Sequence, residues 1–363
     1  MDFAAISSLT RRGGDAGLIS IDAGAIEMLG RSVISTNSNP FPNALDHGDA
    51  GEVAIAATGN IFIGEGSEVV SNTGGSGGAG QVTVATPATL TLENARLSSG
   101  SLPGATGTSG KVGVTADQLF VLNGSIETIS RNTNRAGDIG IIADTIQLAG
   151  RAARIASINT SAAPGSAGTV LIETRLLTLS NGAAITTESA TGPAGDILIS
   201  MPSDGILTLE SLGLDTPPSV ITTSSGPGTG GQIAISRPRA IISNGGSILA
   251  LGQQGGANVQ LDAQYLISSS DRTNRIEVNG NFLLEAAAYD VSAGTVNRDL
   301  SVIDASGVLR GQCAAVRATG QVSQLVVRPI GPYGTRPTGA RPTGPGVDRT
   351  RLLSAAELQE SCS

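Results

Sequence analysis

The chain has 363 residues, 50 of them Gly, with no Trp, five Phe and three Tyr, so Val, Ile, Leu and Ala must fill whatever interior it has. Aromatic side chains dominate the burial in most compact cores, and a conventional globule is therefore disfavoured. Charged residues make up 14% and the net charge is −8, which together with the lack of any Lys/Arg run disfavours a nucleic-acid or anionic-lipid binder.

From the start, MDFAAISSLTRRGGDAG lacks the basic and apolar regions of a signal peptide. The expectation is a chain that is not secreted, or the back part of something longer. No apolar run approaches the roughly 18 residues that a transmembrane helix needs.

A repeat then begins. Gly17, Gly51, Gly80, Gly110, Gly137, Gly168, Gly195 and Gly231 each precede a pair of β-branched residues at the second and fourth positions that follow, as in Val53 and Ile55, Val112 and Val114, or Ile139 and Ile141. Alternation of this kind places one face of a strand inward. A second apolar pair follows nine to twelve residues after the glycine, as in Ile61 and Ile63, Leu119 and Val121, Ile146 and Leu148, or Leu177 and Leu179. Near the seventeenth position comes a third apolar residue, as in Ile34, Leu97, Ile126, Ile185 and Ile248.

Three short strands and a Gly/Ser/Thr/Pro loop per period of about 30 residues describe one coil of a β-solenoid. One coil cannot bury its own inward face, so neighbours must stack and hydrogen-bond. A β-sandwich also has many short strands, but it has no reason to repeat a Gly-x-Val-x-Val unit. The loop glycines, as in GSGGAGQ and GPGTGGQ, are expected to serve tight turns with positive φ.

After a weaker coil around NVQLDAQYLIS the pattern fades. Residues 1–270 are assigned to the β-helix, 271–328 to a terminal coil and cap, and 329–363 to a Pro/Gly-rich linker, TRPTGARPTGPGVD, with a short helix over RLLSAAELQESC.

The runs AGDIGIIADTIQLAGRAARIAS, AGDILIS and GPGTGGQIAIS resemble the repeat region of the filamentous haemagglutinin family of two-partner secretion exoproteins, over about Gly13 to Leu261. DASGVLRGQCAAVRATGQVSQLVVRPIGPYG is similar to the carboxy-terminal tails of some members. The resemblance implies an all-β, right-handed parallel β-helix with an irregular carboxy-terminal tail. It also implies export through an outer-membrane two-partner transporter, a secreted or cell-surface location associated with the outer membrane, and adhesion to a cell-surface glycan or protein receptor. Cys313 and Cys362, the only cysteines, lack metal-type spacing. In an oxidising compartment they are a disulfide candidate, and in some members a terminal Cys pair retains the protein at its transporter. Two reduced, unrelated thiols are the alternative.

Chemistry is sparse. The slot after each anchor holds Leu18, Glu52, Gln81, Lys111, Asp138, Thr169, Asp196 and Gln232, too mixed for a stacked catalytic row, so Asp138 and Asp196 read as solvated turn residues. His47, the single histidine, sits beside Asp46 and close to Asp49 and reads as an exposed insertion rather than a metal or proton site. The calcium nonapeptide and the phosphate loop are both absent. The expectation is a structural adhesin segment with no catalytic residue, cofactor or metal. The rival is a carbohydrate-active β-helix enzyme, a polysaccharide lyase or hydrolase, which predicts a cleft with convergent Asp, Glu or Arg on adjacent coils; the adhesin reading predicts none. A truncated gene product with no independent function is the third reading.

Overall fold

Each Gly-x-Val-x-Val unit forms a strand because β-branched residues suit an extended, half-buried backbone. The structure, a computed structural model, describes residues 4–11, 13–38, 48–211, 216–269 and 274–290. Among these there are 26 strands and no helix, paired in parallel into one sheet of ten strands and one of sixteen. The protein is a parallel β-solenoid of nine full coils, spanning residues 19–38, 53–73, 82–101, 112–130, 139–159, 170–189, 197–225, 232–252 and 258–278, here numbered coils 1 to 9. Ala5–Thr10 stacks below coil 1 and Phe282–Asp290 stacks on coil 9. The ninth is the weaker coil of the sequence. Each coil returns to its own sheet by a parallel crossover, a connection for which the right-handed sense is the physical rule.

Every coil has three strands, as the spacing predicts. In coils 4, 5 and 9 the first two run together as Val112–Leu122, Ile139–Ala149 and Asn258–Ser268. The bend in Val112–Leu122 falls at Asp117 and Gln118, two consecutive exposed residues that shift the alternation by one. The third strands, from Val33–Ser38 to Arg275–Val278, make the ten-stranded sheet together with Ala5–Thr10.

The apolar pairs stack in register. Val82, Val112, Ile139, Val170 and Ile197 form one inward row, and Leu92, Val121, Leu148, Leu179 and Leu209 another. Their exposures are 0 or 1%, and burying each stabilises by roughly 1.5–3 kcal/mol. On the third face one row runs Ile34, Val69, Leu97, Ile126, Ile155, Ile185, Ile221 and Ile248.

The other inward positions of that face are polar. Thr36, Ser71, Ser99, Thr128, Ser157, Thr187 and Thr223 stack behind the Ile row, each with 0% exposure. Their partners are the anchor glycines. Ser71 Oγ donates to the Gly51 carbonyl (3.0 Å) and accepts from Gly80 N–H (2.8 Å), and Ser157 Oγ does the same between Gly137 (2.9 Å) and Gly168 (2.8 Å). Thr128, Thr187 and Thr223 donate to the carbonyls of Gly137, Gly195 and Gly231 at 2.6, 2.6 and 3.1 Å. A buried carbonyl left without a donor costs about 1–3 kcal/mol, so this ladder solves the polar accounting of the loop that closes each coil.

The expectation of positive φ at the loop glycines is corrected here. None of the anchors is among the positive-φ glycines, which lie elsewhere, at Gly66, Gly150 and Gly182 for example. The anchors stack directly on one another. A Cβ on Gly80, Gly137, Gly168, Gly195 or Gly231 would meet the carbonyl oxygen of the preceding anchor well inside the 3.0 Å that real Cβ atoms keep. Close approach of backbone to backbone, rather than a turn conformation, is what excludes a side chain there.

Candidate functional site: a charged groove on the third-strand face

The outward positions of the third strands begin the site. Between second and third strand the chain turns through a left-handed residue, Asn94 (φ 51°) in coil 3, Asn123 (φ 50°) in coil 4 and Gly150 (φ 99°) in coil 5. Asn tolerates that region better than other side chains because its short amide bonds locally. Just beyond the turn the third strands carry Glu68, Arg96, Glu127 and Arg154 on coils 2 to 5. Parallel stacking brings together residues some 28 positions apart in the chain.

They form one alternating chain of charge. Arg96 Nη2 donates to Glu68 Oε2 (2.8 Å) and its Nη1 reaches Glu127 Oε1 (3.5 Å), while Arg154 donates from Nη2 (2.6 Å) and Nε (3.1 Å) to Glu127 Oε2. The Glu127 side chain is only 2% exposed, against 37% for Arg96 and 46% for Arg154. Burial alone lowers the Arg96 pKa, but the hydrogen bonds and charges of Glu68 and Glu127 outweigh it and hold the group above its ordinary value. Arg96 Nε is buried without a hydrogen-bond partner. Glu68, Arg96 and Arg154, with Asn94, Asn123 and Ser125, line a groove of about 310 Å³ across four coils; Glu127 pairs with both of these arginines without lining it.

The stacked equivalents of Glu127 are Ser98 and Ala156, both buried. The fold therefore accepts small uncharged residues at this position. A buried ion pair is weak evidence for stability, since apolar replacements are often neutral or stabilising. Glu127 is in excess of what the coil needs.

The anchor-slot residues have a different task. Asp138 Oδ1 accepts from Thr169 N–H (3.0 Å) and pairs with Arg135 (2.6 Å) and, through Oδ2, with Lys111 (3.6 Å), while Asp196 Oδ1 accepts from Gln232 N–H (2.8 Å). Both lie in the irregular segment just ahead of the first strand, half-buried, and they stitch coil to coil rather than standing as solvated turn residues. Desolvation raises the Asp138 pKa, yet the Thr169 N–H and the Arg135 and Lys111 charges prevail and hold it below the ordinary carboxylate value. A depressed native pKa stabilises the fold above the unfolded pKa, and that stability is lost as pH falls through the native one. The Tm gap between wild type and Asp138→Asn is therefore expected to be constant at neutral pH and to close below about pH 4. Thermal melts of both proteins from neutral to acid check this, and a gap independent of pH would refute it.

Asp49 Oδ1 accepts from Gly78 N–H (2.6 Å), again between coils. His47 and Asp46 lie outside the described residues, as do Cys313, Cys362, the linker and the terminal helix expected from the sequence. Among the described residues no group of three His, Cys, Asp or Glu could hold a metal ion, and no helix is long and apolar enough to cross a membrane.

Glu68, Arg96, Glu127 and Arg154 escape a reading built on the inward pattern. Each is the immediate neighbour of a stacked inward residue, Val69, Leu97, Ile126 or Ile155, so the signal was the charge flanking the third apolar touch. No protein-family model, curated protein or solved structure matches the chain.

Proposed function

We propose that the solenoid is the rod of a secreted or cell-surface structural adhesin, a segment of a two-partner secretion exoprotein that reaches the surface through an outer-membrane transporter. The observation that supports this is the repeat itself. Nine coils keep their inward rows apolar or hydroxyl-bearing, and their outward positions vary freely from coil to coil. A long lateral surface with unconstrained side chains suits display of a binding face to a glycan or protein receptor. Antibody labelling of intact, unpermeabilised cells of the native host, with and without external protease, tests it. Surface signal removed by protease is expected, and signal seen only after lysis overturns the reading.

A second reading has its own observation. The groove is the arrangement that a carbohydrate-active β-helix enzyme requires and that an adhesin does not, with carboxylates and guanidiniums converging on adjacent coils. The adhesin reading keeps precedence because both Glu127 oxygens are engaged by guanidinium groups, and a general acid or base needs an oxygen free to exchange its proton with substrate. Release of new saccharide ends from polysaccharides by the wild type, abolished in Glu127→Gln, would reverse that order.

A further inference from the structure

We infer that the groove spanning coils 2 to 5 binds an uncharged glycan chain lying along the axis of the rod. This rests on the display reading above and names the class of receptor that the lateral surface takes.

The shape comes first. The groove follows the stacking direction over three coil steps, roughly 14 Å at the spacing of paired strands. Its lining recurs from coil to coil, with Asn94 and Asn123 at successive turns and Glu68, Arg96, Ser125 and Arg154 at stacked strand positions. A ligand that matches such a site is itself a linear repeat.

The chemistry of the lining narrows the class. Carboxamide, carboxylate and guanidinium groups are planar and make paired hydrogen bonds, which suits vicinal hydroxyls. The only apolar side chains of the lining are those of Ala95 and Ala152, so a lipid or an apolar peptide finds no anchor. Two carboxylates balance two guanidiniums, so neither a polyanion nor a polycation is favoured. An extended peptide would need free backbone groups on the third strands, and coil-to-coil pairing already uses them. Uncharged sugars satisfy all of these conditions. Without an aromatic platform, affinity comes from hydrogen bonds alone and is expected to be weak, on the order of 0.1–1 mM.

The test uses the purified full chain, titrated with cellohexaose and mannohexaose as uncharged probes and with hexagalacturonate and a heparin hexasaccharide as charged ones, read by calorimetry and ligand-observed NMR. The diagnostic variant is Asn94→Gly with Asn123→Gly. Glycine already occupies the equivalent left-handed position at Gly150, so the turn is kept while both amides are removed. Binding of an uncharged hexasaccharide, weakened about tenfold or more in the double variant while Tm is held, bears the inference out. Absence of binding by both uncharged probes overturns it, as does binding confined to the charged probes or indifferent to the double substitution. Because cell-surface labelling does not depend on glycan binding, failure here is distinguishable from failure of the display reading.

Discussion

Replacing Gly168 by valine is expected to break the rod at coil 6, at a cost of about 4 kcal/mol or more, the range of the most severe single substitutions. A Cβ at Gly168 meets the Gly137 carbonyl oxygen and carbon, both backbone atoms that cannot swing aside. Relief would require coils 5 and 6 to separate locally. That would also take the Gly168 N–H away from the Ser157 hydroxyl that accepts from it. Stability in a solenoid is a sum of neighbour terms, so the damage should stay local. Urea unfolding followed by circular dichroism is expected to split into two transitions, and hydrogen exchange should rise first in coils 5 and 6. Gly140 supplies the contrast, since nothing lies within 4 Å of a Cβ there and it is not among the positive-φ glycines. Gly140→Ala is expected to be neutral or stabilising by up to about 1 kcal/mol. Equal midpoints for the two variants would refute the close-approach account.

The second large effect is expected at Leu148. Its side chain is 0% exposed, stacked between Val121 below and Leu179 above. Leu148→Ala should cost about 3–5 kcal/mol, the transfer of the lost methyl and methylene groups plus the cavity they leave. Collapse around the cavity is hindered because the flanking residues are held by strand pairing on both sides. A shift in urea midpoint with unchanged slope checks this. A loss below about 1 kcal/mol would mean that the row is not close-packed.

Much of the architecture was legible in the chain because its signal is local. The pairs Ile139 and Ile141, then Ile146 and Leu148, declare inward faces through alternation alone, and recurrence after every anchor glycine declares the stacking. The third strand was half legible: Ile126 or Ile185 marked it, but the apolar pattern says nothing of the Thr128 and Thr187 that follow, which are fully buried. Polarity in a sequence reports what a residue can bond to, and here the partner is a glycine carbonyl inside the rod.

The groove was legible only as charges beside the third apolar residue, not as a set of groups that meet. Glu68, Arg96, Glu127 and Arg154 are separated by stretches of loop whose length changes from coil to coil, so their juxtaposition depends on the registers Glu68 with Arg96, Glu127 with Ala156 and Ser125 with Arg154. The anchor glycines show the same division. Their recurrence is plain in the sequence, but the reason for it is contact with the glycine of the coil below, some 30 residues away. Local alternation by itself determined the fold class, the three-strand coil and the inward apolar rows, because each follows from the period of a strand. Only the stacked structure decided which glycines are sterically required, where the buried hydroxyls find partners and which charges meet, because those depend on register between coils.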